Sequence, residues 1–407
     1  MRTTHNTFSI LLMLLATVMW LRTVVAAQES SNKAHEEPTT LEKLRDEVRR
    51  GFSSRISLLG FGTAAQPVDS GLNPNNILQI PRYQLELDLR PDLALNFRQL
   101  ELSVKPRFEL RWQKWEDGVR QGDSTTDVPV FVQEWLARYR LTNQLFVSYG
   151  RENLQWGPSY LLSPSNPFNR DNGQNNPKRE VPGMDYGRGV WIPSSNWTVS
   201  FIANTSRGRL DLIQDFEKTY AIKLDYTVEK KYFSLIPSSQ ENGKSRVGFF
   251  GGWTVSDALL LHMEGSIPPG EIGDTAILVG GAYTLELGPT IAVEFYHDGE
   301  GCTLEDIVLC FRLGIVNTKP PADPLIRQNY LLMQYAHSRL WDTTFNVTLR
   351  WIRDLDDSSD RIIGIFEYDL NDHTQLFVIV NGDTGTKNAE FGSLLHYSVM
   401  AGVRYTF

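Results

Sequence analysis

Leu395-His396-Tyr397-Ser398-Val399-Met400-Ala401-Gly402-Val403-Arg404-Tyr405-Thr406-Phe407 ends the chain, and the reading of this stretch decides the fold. Leu395, Tyr397, Val399, Ala401, Val403, Tyr405 and Phe407 are apolar or aromatic, while the residues between them are mostly polar or small. Successive side chains of a strand point to opposite faces, so this alternation is a strand with one oily face. A soluble sandwich also builds such strands, but rarely at the extreme terminus with a free C-terminal phenylalanine.

Working back from the end, the same cadence recurs from Ser54 onward. Tyr83, Leu85, Leu87 and Leu89 alternate with Arg82, Gln84, Glu86 and Asp88; Leu102, Val104, Phe108, Leu110 and Trp112 alternate with Ser103, Lys105, Arg107, Glu109 and Arg111. The charged face is too rich for a core and too regular for a loop. It must see water while the other face sees something apolar, and a lipid-facing wall around a wet lumen provides both.

The ending Val403-Arg404-Tyr405-Thr406-Phe407 resembles the C-terminal signature strand of Gram-negative outer-membrane β-barrels. The resemblance implies an all-β fold, a closed antiparallel transmembrane β-barrel of about 16 to 18 strands with an even count. It also implies that the last strand closes the barrel, that the barrel-assembly machinery reads it through Phe407, and that outer-membrane lipid and lipopolysaccharide surround the wall. Strands are expected near 54–63, 81–90, 98–115, 130–140, 144–156, 187–193, 196–205, 217–227, 231–237, 246–255, 258–266, 274–286, 289–297, 328–338, 343–352, 361–370, 374–381 and 395–407. Short turns such as 142–143, 194–195, 256–257 and 371–373 should alternate with long links such as 64–80, 157–186 and 298–327. The apolar run Ile307 to Val316 fits that alternation as a hairpin arm or lid inside a loop, not as a wall strand.

The N-terminus agrees. Met1-Arg2, an apolar run from Phe8 to Trp20 and then Val25-Ala26-Ala27 make a secretory signal cut after Ala27. Arg22 holds the apolar run below the roughly 20 residues that a spanning helix needs. No other stretch approaches that length, so a membrane location requires a closed barrel. The expected organisation is a signal peptide at 1–27, a periplasmic segment at 28–53 with a short helix carrying Leu41, Leu44 and Val48, and a bacterial outer-membrane barrel at 54–407. A net charge of −8 argues against a nucleic-acid partner. Cys302 and Cys310 lie close together in one polar region, a spacing that points to a loop disulfide in an exported protein.

The most distinctive stretch runs from Tyr149 to Pro193. It carries Gly150-Arg151, Trp156-Gly157-Pro158 and Ser163-Pro164-Ser165-Asn166-Pro167-Phe168, and then a loop dense in Asn, Gly, Arg and Lys. This segment is similar to a strand-to-loop segment of large barrels that handle polysaccharides, the capsule-assembly proteins and alginate-export channels. About 30 residues of loop with Arg170, Lys178, Arg179 and Arg188 either fold inward to narrow the pore or form an ordinary extracellular cap.

Charged residues recur on the faces expected to point inward: Lys105, Arg107, Glu109, Arg111, Glu134, Arg138, Arg140, Arg350 and Arg404. Together with Arg151, Arg170, Arg179 and Arg188 they are the candidate pore-lining and constriction set. Guanidinium groups lower the barrier for anions, while Glu86, Asp88, Asp225, Glu264, Glu294 and Glu367 share those faces and set up mixed charge. Asp354, Asp356, Asp357 and Asp360 cluster in one outer loop; they lack the glycine and distal glutamate of a calcium loop, and the reading is a solvated acidic loop. No histidine pair has metal-ligand spacing and no nucleophile motif is present, so neither metal, cofactor nor catalysis is expected. The functional expectation is a channel for passive diffusion of small hydrophilic solutes with a mild anion preference. The alternatives are an export channel for an acidic exopolysaccharide, or a non-conducting barrel that stacks sugars on Tyr160, Phe168 and Trp191.

Overall fold

A computed structural model describes residues 40–210, 216–241, 245–270, 272–314 and 325–407. The expected signal peptide at 1–27 and the segment 28–39 lie outside the described residues. Thr40–Gly51 forms helix α1, with Leu41, Leu44 and Val48 exposed along one stripe.

The rest is a closed antiparallel barrel. Its first strands are β1 (Phe52–Pro67), β2 (Tyr83–Phe97), β3 (Leu100–Lys114), β4 (Ser124–Asp127), β5 (Val130–Arg140) and β6 (Leu145–Glu152). Then follow β7 (Met184–Ser194), β8 (Trp197–Ser206), β9 (Thr219–Val228), β10 (Lys231–Gln240), β11 (Ser245–Thr254), β12 (Leu259–Ile267) and β13 (Ala276–Thr284). The last are β14 (Thr290–Asp298), β15 (Asn329–His337), β16 (Phe345–Asp354), β17 (Asp360–Asp369), β18 (Thr374–Thr384) and β19 (Leu395–Thr406). Both β4 and β5 pair with β3, one above the other. They fill a single wall position broken at Val128-Pro129, so the described residues form 18 wall strands. Each wall strand pairs with the next in sequence, and β1 closes the ring on β19 through a register that runs from Ser57↔Thr406 to Gln66↔Tyr397.

The wall alternates as the sequence implies. On β2, Leu85 and Leu87 are exposed outward while Gln84, Glu86 and Asp88 are buried inward; on β12, Leu261 and Met263 oppose His262 and Glu264. Short turns close one end, where both ends of the barrel chain lie, and the long connections 153–183 and 299–328 sit at the other. The expectation that β2 ends at Arg90 is corrected, because the strand continues through Pro91. Pairing of β2 with β3 stops at Leu89↔Phe108 and resumes at Leu93↔Val104. Pro91 and Pro106 fall in that gap, where neither ring has an N–H to give a ladder.

The inward face is not uniformly polar. Leu332, Ile352, Ile363, Ile365 and Ile379 are all buried against the interior, next to Leu161, Leu162, Leu325 and Phe391 from the loops. Several strands, among them β17 with Ile362 exposed and Ile363 buried, are therefore apolar on both faces.

At the loop end, the expected lid inside 299–328 contains helix α2, Ile307–Arg312, in place of a hairpin arm. Asp306 caps it by accepting from the Val308 amide at 2.9 Å. The end of that apolar run, Val316, lies outside the described residues. Cys302 and Cys310 are bonded, with Cα atoms 5.9 Å apart, and pack with Ile307 and Val308 against Leu72 and Ile326.

The acidic cluster is only partly solvated, which corrects the sequence expectation: Asp356 is exposed, but the Asp354 and Asp357 side chains are buried. Arg327, 1% exposed, lies with its Nε 3.3 Å from Asp357 and 3.8 Å from Asp354 and donates to the Leu304 and Glu305 carbonyls. Asp356 accepts from the Gln328 and Asn329 amides, and Asp360 pairs with Arg353. Glu390 takes the Arg327 amide and the Tyr330 hydroxyl. The described residues of the connections 299–314 and 325–328 are thereby tied to 355–359 and 385–394 in one cap. Arg327→Met should leave two buried carboxylates without their cation and lower stability by about 3–5 kcal/mol, measured by denaturant unfolding of the refolded barrel.

Candidate functional site

Residues 153–183, between β6 and β7, do not cap the barrel from outside. They run round its inner wall as a collar, touching the strands nearly in ring order. Phe168 and Trp156 pack near Ile236 and Phe250 of β10 and β11. Glu264 of β12 accepts from the hydroxyls of Ser159 at 2.7 Å, Ser163 at 2.5 Å and Ser165 at 2.7 Å. Glu294 of β14 accepts from the amides of Tyr160 at 2.7 Å and Leu161 at 2.8 Å, and meets His262 Nε2 at 2.7 Å. Arg350 of β16 donates to the Tyr160 carbonyl and to Asn175. Lys178 donates to Glu367 of β17 and to Gln375 of β18. Arg179 lies over Phe61 of β1. Arg90 of β2 donates to the Lys178 carbonyl, Arg107 of β3 to Glu180, and Gln133 of β5 to the Val181 carbonyl.

The collar's sequence explains its stiffness. Asn166, Asn169, Asp171, Asn172 and Asn176 each accept with their side chain from the amide two residues on, at 2.8–3.3 Å. These local turns are the physical reason for the asparagine density. Gly157 has φ +91°, and a Cβ there would run into the Glu264 carboxylate; at Gly150 a Cβ would run into the Trp135 carbonyl. The Gly150-Arg151 and Trp156-Gly157 pairs thus mark close approach of backbone to wall.

The candidate residues separate into groups. Lys105–Glu134 at 2.7 Å, Arg111–Glu86 at 2.9 Å, Arg111–Glu109 at 2.8 Å, Arg138–Glu101 at 2.9 Å and Arg188–Glu152 at 3.1 Å are ion pairs on the inner face. Arg107 and Arg170 are buried. Arg107 forks onto Glu180, also reaches Asp92, and donates to the Pro91 and Pro106 carbonyls, which closes the gap that the two prolines open. Arg170 reaches Tyr296 and Asp298 of β14. Arg350 is buried in the collar contact described above. Arg151 shares the alternation of Val147 and Tyr149, the exposed outward set of β6, and pairs with Asp185. It therefore falls outside the inward set. Arg140 lies exposed near the turn end. Arg179 and Arg404, the latter inward with Met400, have no carboxylate within ion-pair distance among the described residues.

Of the three rings considered for sugar stacking, Phe168 is 2% exposed, Tyr160 is half-buried and Trp191 points outward. Glu86, Asp88 and Glu109 lie at metal-ligand spacing; Arg111 pairs with Glu86 and Glu109 and Arg90 with Asp88, so two cations face the three carboxylates. The anchoring role of Glu264 and Glu294 was missed by sequence reasoning, since about 100 residues separate Glu264 from its serines.

No family model matches this sequence, and no curated protein matches it. Among solved structures the chain is similar to Pseudomonas aeruginosa OccK7 (OpdD), with a TM-score of 0.58 at 11% identity over 88% of this chain and 98% of that one. It is similar to P. aeruginosa OprD, TM-score 0.55 at 11% identity over 87% and 95%. It is also similar to P. aeruginosa OccK5 (OpdH), TM-score 0.54 at 11% identity over 88% and 98%. The fold is that of a porin-like barrel.

Burial acts to raise the Glu180 carboxyl, but the hydrogen bonds and charge of Arg107 outweigh it and hold Glu180 below the usual carboxylate range. A carboxyl depressed in the folded state contributes stability above its unfolded value and loses it as pH falls through the folded value. The Arg107 anchor should therefore survive acidification through about pH 4.3, the ordinary glutamate midpoint, and fail below it. A carbon-13 NMR titration of Glu180 should show that depressed midpoint, and Arg107→Met should move it upward.

Proposed function

We propose that this chain is an outer-membrane channel for passive diffusion of small hydrophilic solutes, with a mild preference for anions. The observation that carries the reading is the collar: residues 153–183 are bonded to inner-wall groups from β12 round to β5, which narrows the lumen. A closed ring of 18 strands encloses a water-filled space when its interior is not packed solid. The outward apolar wall, and the likeness in fold to outer-membrane porins, support the membrane location.

The strength of the preference follows from the pairing. Most inward cations are matched by a carboxylate within about one hydrogen-bond length, so their fields largely cancel at the distance of a passing ion. Among the described residues Arg179 and Arg404 have no carboxylate within ion-pair distance; Arg179 lies over Phe61 of β1, and Arg404 is on β19, the strand paired with β1. A polymer exporter would need a lumen that opens along its length, and a collar held from so many strands favours small solutes instead.

Single-channel recording of the refolded protein in a planar bilayer with a salt gradient tests the reading. Steady openings with weak anion preference are expected. Arg179→Glu with Arg404→Glu should shift the reversal potential toward cations, whereas Lys105→Gln with Glu134→Gln, which removes a neutral pair, should leave it in place. Silence of the wild-type protein under every condition would overturn the channel assignment.

A further inference from the structure

The collar is held in two different ways. Its later arc, residues 174–183, is tied by ion pairs that keep contact with water: Glu180 and Glu367 have side chains 34% and 25% exposed. Its earlier arc, residues 156–172, is tied by carboxylates with no exposure at all, since Glu264 and Glu294 are both 0% exposed.

The chemistry of the earlier arc is one-sided. An ionised carboxylate is an acceptor only, with about four lone-pair sites. Glu264 meets three serine hydroxyls and the Ser165 amide, and Glu294 meets two consecutive backbone amides and an imidazole nitrogen. Each carboxylate thus finds its donors on the collar segment and, for Glu294, also on His262. The loop segment has the converse need, because the amides of Tyr160 and Leu161 point at the wall and require an acceptor there. Arg350 grips the same segment from the other side by donating to the Tyr160 carbonyl.

We propose that Glu264 and Glu294 are the positioning residues of the aperture, fixing residues 156–172 against β12 and β14 and so setting the largest solute that passes, although neither meets the solute. This rests on the channel reading above. Leucines 161 and 162 then act as a consequence: once the two glutamates draw the segment in, these side chains bury themselves among the apolar inward residues of β13 to β18. The direction of this dependence is testable, because apolar packing alone would hold the segment without the glutamates.

The test uses the full mature chain refolded in liposomes, with Glu264→Ala, Glu294→Ala, Glu264→Gln and Glu294→Gln. Amide hydrogen exchange of residues 156–172 should be slow in the wild type. Losing a hydrogen bond to a charged acceptor should speed exchange at Tyr160 and Leu161 in Glu294→Ala by roughly tenfold to a hundredfold, with residues 174–183 unchanged. In liposome swelling with sugars of increasing size, both alanine variants should admit larger sugars than the wild type, and the glutamine variants should restore part of the cut-off. Should Glu264→Ala fail to fold, Ser159→Ala with Ser163→Ala and Ser165→Ala removes the donors from the loop and leaves the wall intact. Wild-type exchange and an unchanged sugar cut-off in folded variants would overturn the proposal. If no sugar enters through the wild type, the channel reading fails on its own, and the exchange measurements still decide whether the two glutamates hold the segment.

Discussion

An antiparallel sheet has two edges of unpaired N–H and C=O groups, and in an apolar medium each unpaired group is costly. This chain removes both edges by pairing β1 with β19 along most of their lengths. Closure then fixes much of what remains. Every wall strand must present an apolar residue outward at alternate positions, and the count must be even if both ends of the barrel chain lie at one rim. The wall must also tolerate its own defects without opening. The break at Pro129 is bridged because β4 and β5 share one partner, and the gap at Pro91 and Pro106 is bridged by the Arg107 guanidinium.

Eighteen strands create a second problem, since wall side chains cannot span so wide an interior. The interior is narrowed by loops in place of wall side chains. Leu161, Leu162, Leu325 and Phe391 are carried inward on connections, and the strands they meet are apolar on that face. A second apolar cluster forms where Phe168, Trp156 and Leu154 meet Tyr186, Ile236 and Phe250. These contacts give the collar a hydrophobic underside on the wall, while its polar residues and the ion pairs of β2, β3 and β5 remain for water.

Strand positions were largely legible because the alternation of apolar and polar residues has a period of two, and a wall that meets apolar medium on one side enforces that period. The alternation lapses where the inside is apolar as well, although the strand expected at 361–370 is found there, at Asp360–Asp369. Ile362-Ile363-Gly364-Ile365 carries little alternation, and only the loops folded against Ile363 and Ile365 explain it. The sequence allows 153–183 to fold either inward or outward for a related reason. Its anchors, Glu264, Glu294, Arg350 and Arg107, are scattered over four strands, and no local spacing marks a carboxylate that accepts from serines a hundred residues away. Within the acidic run, the burial of Asp354 and Asp357 has no local mark because their cation, Arg327, comes from a different connection.

Residue type says little about the role of a charge inside such a barrel; its neighbours decide. Arg107 mends a broken ladder and holds Glu180, Arg111 is shared between Glu86 and Glu109, Arg151 lies on the outward alternation with Asp185, and Arg179 rests on an aromatic ring with no carboxylate at ion-pair distance among the described residues. All four are arginines, and all four satisfy the same composition argument for an anion pathway. The distinction is electrostatic: a cation within hydrogen-bond length of a carboxylate presents a dipole whose field falls off quickly, whereas an unpaired one acts over a Debye length of about 8 Å. On the channel reading, selectivity would therefore depend on how few of the charges are left over once the wall and the collar have taken what they need.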